Sequence, residues 1–375
     1  MNLLAYVHLR NIYGSTGAGR VARNIVEALH ALGEDNLQIL CDRTDRERIV
    51  PLVGAPWDGF TYHDFTLDTS KQQARWLLTD RPKAESWWPE AELVYCTMES
   101  YVPTKRAKSV VTLHDAAFFE EDALARNFAR WRQSLKWRLM HGKLARRADM
   151  FHTVSQFSAD RLAHFFPAMR DRLRVVHNGV TDVFFAPPTP EGEAGLAALG
   201  LADKRFILLP RGLAYRKNAD LVLAAWPVLR ERHPDLMLVI GSHCDPAYAA
   251  RAKAMGDGIL LTGFVSDAVL RSLYGAAQLT WVPSLYEGFG IPILESMACG
   301  TAVVSTDTSS IPEVAGGAAL LVDPHDRDAH IDTIDHLLHD AGARTALIAR
   351  GHARAQHFTW SRAAETLRGY MADLL

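Results

Sequence analysis

Short continuous apolar runs alternate along this chain with longer stretches of helical spacing. The runs at Leu3–Leu9, Leu37–Cys41, Val110–Leu113 and Phe151–Val154, with Arg174–Val180 after them, read as buried strands. A second series follows at Phe206–Leu209, Leu236–Ile240, Ile259–Leu261, Leu279–Val282, Ala302–Val304 and Ala319–Leu321. Between them, apolar residues recur at helical intervals, as at Val21, Ile25, Ala28 and Leu29. Strands without inner alternation, joined by helices, predict α/β architecture with doubly wound parallel sheets. Ser155 is placed to cap the helix after Phe151–Val154. Pro227 falls inside a helical pattern and predicts a kink there. The segment between Arg43 and Arg106 breaks the rhythm. Its Trp57, Trp76, Trp87 and Trp88 lie among prolines and charges, and it reads as short strands and loops. Those tryptophans serve either an acceptor-side surface or core and lid packing.

At 375 residues the chain exceeds one ordinary core, so two domains are expected. Pro187-Pro188-Thr189-Pro190-Glu191-Gly192 reads as a linker, which sets domains at 1–185 and 186–357 with a final helical segment at 358–375. Nearly half the residues are hydrophobic and the net charge is −2, which argues against nucleic acid as a partner. Met1–Arg10 is too short and polar for a secretion signal, and no apolar window reaches the length of a membrane span. Cys41, Cys96, Cys244 and Cys299 are widely spaced and read as reduced thiols of a cytoplasmic protein. A basic, aromatic-rich helical stretch spans 123–148. It carries Arg126, Arg130, Arg132, Lys136, Arg138, Lys143, Arg146 and Arg147, with no acidic residue among them. Such a stretch suits an anionic membrane surface, giving a peripheral position at the inner face, or else a solvated helix with its apolar stripe turned inward.

The densest chemistry lies in Ser284-Leu285-Tyr286-Glu287-Gly288-Phe289-Gly290-Ile291-Pro292-Ile293-Leu294-Glu295. It follows a predicted strand and enters a helix whose first turn accommodates Pro292. Glu287 therefore lies in a loop at a strand's carboxyl end, the edge at which open α/β sheets bind ligands, and Glu295 lies on the helix. Gly288 and Gly290 let a ligand approach the backbone, and a helix start favours negative charge. Arg211 and Lys217 follow the first strand of the second domain, and a guanidinium fork beside a compact ammonium suits a diphosphate. Gly17-Ala18-Gly19-Arg20 forms a glycine-rich loop before a helix, and His114 ends a strand. Asp326 and Asp328 have the spacing of a metal pair but sit at a helix start, where capping is the better reading; no metal site is expected.

Two glutamates with seven residues between them and Gly-Phe-Gly after the first resemble the signature of retaining GT-B glycosyltransferases, above all glycosyltransferase family 4. The resemblance covers most of the chain and is densest from Phe206 to Asp323. It implies a GT-B fold, two Rossmann-like domains facing across a cleft, with the last helix returning to the first domain. It also implies a nucleotide-sugar donor and transfer without metal or other cofactor. By the same resemblance, Arg211 and Lys217 bind the diphosphate, Glu287 and His114 contact the donor sugar, and Glu295 accepts from the ribose. Phe264 and Val265 then lie beside the nucleobase. Gly17 and Gly19 face the phosphates and acceptor, and Gly288, Phe289, Gly290 and Ile291 complete the donor site. Arg216 stays outside it. The Gly17–Arg20 and Arg216–Asn218 segments look most like mannosyltransferases, which implies GDP-mannose and a glycan or lipid-linked acceptor of surface-polysaccharide assembly. A UDP-sugar donor is the alternative. A GT-B nucleotide-sugar epimerase and a non-catalytic sugar-nucleotide-binding scaffold are the more distant readings.

Overall fold

The alternation of apolar runs and helices closes into two parallel sheets, one in each of two compact units: Met1–Gly179 with Trp360–Leu375, and Val180–Thr359. The computed structural model describes residues 1–13, 17–120 and 128–375; of residues 128–134 and 136 it describes the backbone alone.

The first sheet comprises β1 (Asn2–Tyr6), β2 (Asn36–Asp42), β3 (Tyr62–Phe65), β4 (Leu93–Cys96), β5 (Lys108–Leu113), β6 (Met150–Thr153) and β7 (Leu173–Val175), in the order β3-β2-β1-β4-β5-β6-β7. Every pairing is parallel. Helices cover both faces, so the inner strands β1 and β4 are apolar on both sides and show no alternation. The strand predicted over Leu3–Leu9 stops at Tyr6, and Leu9 already opens a short helix to Tyr13. Ser155 caps the helix Gln156–Phe165, its hydroxyl accepting from the Ser158 amide.

The stretch after Arg43 is more regular than expected. It holds the helices Arg43–Val53 and Thr69–Thr79, capped by Asp42 and Asp68, as well as β3 and β4. Its tryptophans pack the core. Trp57 and Trp76 are fully buried, and each satisfies its indole N–H internally, on Glu27 at 2.7 Å and on the Pro82 carbonyl at 3.0 Å. The final helix, Trp360–Ala372, lays Ala363, Ala364, Leu367 and Met371 against the core that includes Ile25, Val26 and Leu29. Arg368 ties it to Asp35, which also holds the terminal amine of Met1.

The second sheet comprises β8 (Arg205–Leu209), β9 (Leu236–Gly241), β10 (Ile259–Gly263), β11 (Leu279–Val282), β12 (Val303–Thr306) and β13 (Leu320–Val322), ordered β10-β9-β8-β11-β12-β13 and parallel throughout. The unit boundary falls at Gly179–Val180, not after residue 185. The Val180 amide donates to Phe358 within the second unit, and Phe184 is buried against Tyr274. The expected linker is partly helix: Pro190 opens the helix Pro190–Ala198, capped by Thr189. The Ala219–Arg232 helix continues through Pro227.

The basic stretch lies in the helix Phe128–Arg147. Arg126 lies outside the described residues, as do the side chains of Arg130, Arg132 and Lys136. Leu135, Arg138 and Leu139 are exposed. Lys143 does not face outward as a surface cation. Its ammonium is 2.8 Å from Asp80, donates to the carbonyls of Trp76 and Leu77, and stands 4.6 Å from the Tyr101 ring centre. Arg147 shares the same carboxylate at 3.2 Å. No described helix is long and apolar enough to cross a membrane.

Candidate active site

Strand order reverses in each sheet where the chain leaves its first strand: between β1 and β4, and between β8 and β11. Neighbouring connections at such a point leave the strands' carboxyl ends in opposite directions and open a crevice for a ligand.

In the second unit, the segments after β8 and β11 meet there. Gly212 follows β8 where any side chain would strike the backbone of His243 and Cys244, so only glycine fits. The chain then makes a short turn, Tyr215–Lys217, and Asn218 takes the left-handed conformation before the Ala219–Arg232 helix. The Asn218 side chain donates to the Pro324 carbonyl at 2.7 Å. After β11, the Leu285 amide donates to the Arg216 carbonyl at 3.0 Å, which joins the two segments.

This junction sets Lys217 Nζ 2.5 Å from Glu287 Oε1, which also accepts from the Ser284 hydroxyl at 2.7 Å. The Glu287 amide donates to Ser309 Oγ and its carbonyl accepts from Ser310 Oγ. Burial pushes the Glu287 carboxyl up, but the charges of Lys217 and Arg216 and the bonds from Lys217 and Ser284 outweigh it. The carboxyl is held at about 2, so Glu287 is ionised at neutral pH. Lys217 and Glu287, expected from sequence to have separate duties, form one ion pair. Arg216, expected to stay outside the site, contributes its charge to the same carboxylate.

Glu295 is buried on the helix Ile291–Ala298, one carboxylate oxygen accepting from the buried Tyr274 hydroxyl at 2.9 Å. Burial and the neighbouring Glu295 raise the Tyr274 phenol well above its ordinary range, so it stays a hydrogen-bond donor. The Arg211 charge acts on both Lys217 and Tyr274, which places it within electrostatic reach of both glutamate pairs. Gly290 caps the helix start with φ of 100°, and Phe289 is buried while Gly288 and Ile291 are half-buried. At the end of β10, Phe264 is 59% exposed beside the half-buried Val265 at the same sheet edge. Tyr274, Ser284, Ser309 and Ser310 were missed from sequence. Ser284 was legible as a neighbour of Glu287; the others reach the glutamates only through the fold.

Strain gathers at this edge. Among the described residues, four other than glycine have positive φ, and three of them (Asn218, Ser242 and Ser309) end or follow segments at the carboxyl edge of the second sheet. Such conformations persist where surroundings over-determine them, commonly at functional sites. Asp326 caps the helix Arg327–His339 through the Ala329 amide, as expected, whereas Asp328 lies in its first turn and pairs with Arg327.

In the first unit, the switch point gathers His8 after β1, Glu99 and Ser100 after β4, and His114 after β5. His8 Nε2 and the Ser100 hydroxyl are 3.0 Å apart, and burial pulls His8 down to about 4, which leaves it neutral. The His114 amide donates to Glu99 at 2.8 Å, while its Nε2 is buried with no hydrogen-bond partner among the described residues. A buried ring nitrogen with no protein partner fits a ligand hydroxyl. Gly17 and Gly19 lie within the first turn of the helix Gly17–Ala31 and not in a loop before it. That turn points backbone N–H groups toward the same edge.

Family models described as glycosyltransferase family 4 and glycosyl transferases group 1 match residues 15–184 and 204–340. The chain is 28% identical over 372 residues to O-antigen chain mannosyltransferase B of Escherichia coli, covering 96% of each. Its fold is similar to that of sucrose-phosphate synthase from Thermosynechococcus elongatus, with TM-score 0.76, 19% identity, and 100% and 99% of the two chains covered. It is also similar to HepE from Anabaena in complex with UDP and glucose, with TM-score 0.71, 16% identity, and 99% of each chain covered.

Proposed function

The chain belongs to glycosyltransferase family 4, and from that premise we propose that it moves mannose from GDP-mannose onto a glycan or lipid-linked acceptor in surface-polysaccharide assembly. Transfer retains anomeric configuration and needs no metal. The observation that carries the reading is the Lys217–Glu287 pair, its carboxylate ionised and cross-braced at the switch point of the second sheet beside Arg211 and Arg216. Likeness to a mannosyltransferase along nearly the whole chain supports the sugar.

Breaking a nucleotide-sugar bond leaves negative charge on the departing diphosphate, and preorganised cations stabilise that charge. Arg211 and Lys217 supply them. When the diphosphate arrives, Lys217 exchanges one anion for another, and Glu287 gains capacity to accept from sugar hydroxyls. Glu295, oriented by Tyr274, accepts from the ribose. Phe264 and Val265 border the nucleobase, with Gly288–Ile291 closing the site by backbone. His114 Nε2 takes a sugar hydroxyl. The donor's own phosphate receives the acceptor proton as the new bond forms on the same face. Leu135, Arg138 and Leu139 offer an anionic membrane surface an apolar and basic patch.

A thermal-shift screen tests the donor, because a ligand stabilises the state that it binds. GDP-mannose should raise the melting temperature more than UDP- or ADP-sugars, and transfer should survive excess EDTA. A larger shift with a UDP-sugar would move the donor to that class. Activity lost to EDTA and restored by Mn²⁺ would end the metal-free mechanism.

A further inference from the structure

At the end of the second unit opposite the candidate active site, the helices Ala219–Arg232 and Arg327–His339 come together again. The first starts at Asn218, whose side chain bonds Pro324 just before the second. It then runs 14 residues, about 21 Å at 1.5 Å per residue, to its last turn. There His233, the residue that caps it, meets Asp335 and His339, one turn apart on the other helix.

His233 is buried and its Nε2 lies 2.7 Å from Asp335 Oδ1; His339 is largely exposed and its Nδ1 lies 3.5 Å from the same oxygen. One ligand atom from each of the three residues falls within 4.8 Å of the others, and this is the only such His, Cys, Asp or Glu group among the described residues. The imidazole rings stand 5.1 Å apart.

We propose that His233, Asp335 and His339 form a binding site for a borderline divalent cation of the Zn²⁺ class, which clamps the two helices at their far end. Two imidazoles and one carboxylate are the donors that such ions prefer, whereas Mg²⁺ and Ca²⁺ favour all-oxygen sets. Ligands about 2.0–2.1 Å from a tetrahedral ion lie about 3.3 Å from one another. The 3.5 Å separation already has that spacing, and the 2.7 Å hydrogen bond opens by about half an ångström as the ion replaces its proton. Side-chain exposure of His339 gives the ion an entry path and leaves a position for water.

Two contacts oppose the ion. His339 Nδ1 gives up its 2.9 Å bond to the Asp335 carbonyl if that nitrogen becomes the ligand. Arg232 Nη1 stands 3.5 Å from Asp335 Oδ2, but it is drawn away by Asp332 at 3.1 Å. The affinity should therefore be micromolar. The site's distance from Lys217 makes it a brace and not a participant in transfer.

The test is a titration of the untagged full-length protein with ZnCl₂, with MgCl₂ as control, read by calorimetry and by melting temperature. The parent should bind one equivalent of Zn²⁺ saturably and gain stability, with no response to Mg²⁺. Asp335→Asn and the exposed His339→Ala should each weaken binding tenfold or more, while His336→Ala leaves it intact. If the parent shows no saturable Zn²⁺ site, or folded His339→Ala binds as the parent does, the three side chains are an ordinary hydrogen-bonded cluster and the proposal is wrong.

Discussion

The two switch points share one architecture and are furnished differently. In the second unit, Glu287 is held from several directions, by Lys217, Ser284, Ser309 and Ser310, and Glu295 accepts from the buried Tyr274 hydroxyl. In the first unit, His8 meets Ser100, and His114 keeps a buried ring nitrogen without a partner among the described residues. The first arrangement fixes charge in advance, which stabilises developing charge without reorganisation. The second holds a polar atom in reserve, and a ligand that satisfies it recovers the cost of its burial. Substitution in the second unit should therefore disturb stability and activity together, and substitution at His114 should disturb activity alone.

The largest expected effect is at Lys217. Removing one such donor from a charge-stabilising site costs about a hundredfold to a thousandfold in turnover. Lys217→Ala also strands the buried Glu287 carboxylate, which costs on the order of 3–5 kcal/mol of stability. Adding Glu287→Gln to Lys217→Ala should return most of that stability in chemical denaturation while activity stays lost. A Lys217→Ala protein as stable and as active as the parent would erase the contrast between the two units.

Acid sharpens it next. The folded Glu287 carboxyl sits at about 2, below its ordinary 4.5. A depressed carboxylate contributes stability above its unfolded value and loses it as pH falls through the folded one. That contribution, on the order of 3 kcal/mol, is therefore present above about pH 4.5 and lost between there and about pH 2. Glu287→Gln should flatten this part of the acid-denaturation profile, and an unchanged slope would mean that the pair carries no linked proton.

The smallest expected change is in the stability of His114→Ala. Its Nε2 forms no hydrogen bond among the described residues, and the amide bond to Glu99 survives the substitution. Stability should move by less than about 1 kcal/mol, while turnover falls at least tenfold. A large loss of stability would make His114 a packing residue.

The parallel sheets were readable because strands buried on both faces are continuous apolar runs, and the donor-side segment because Glu287, the glycines and Glu295 lie within one contiguous stretch. Arg43–Arg106 was opaque for the opposite reason. Its helices Arg43–Val53 and Thr69–Thr79 bury only Asp45 and Ile49, and Gln72 and Trp76, too little to print a helical period. The Lys217–Glu287 pair was also hidden, since both residues were visible but the contact spans seventy positions and depends on β8 lying beside β11. Tyr274 carries no local sign of its role, because its hydroxyl finds Glu295 only after two helices pack.

The central claim is that the two buried glutamates grip different parts of one donor, and calorimetry with GDP and GDP-mannose tests it most directly. Glu295→Ala should weaken both ligands equally, because the ribose is common to them, and Tyr274→Phe should weaken both to a smaller degree. Glu287→Gln should leave GDP unchanged or bind it more tightly, since Lys217 no longer answers to a carboxylate, while the additional affinity contributed by mannose disappears. If Glu287→Gln instead weakens GDP itself and Glu295→Ala affects only the sugar-bearing ligand, the two roles are exchanged and the account fails.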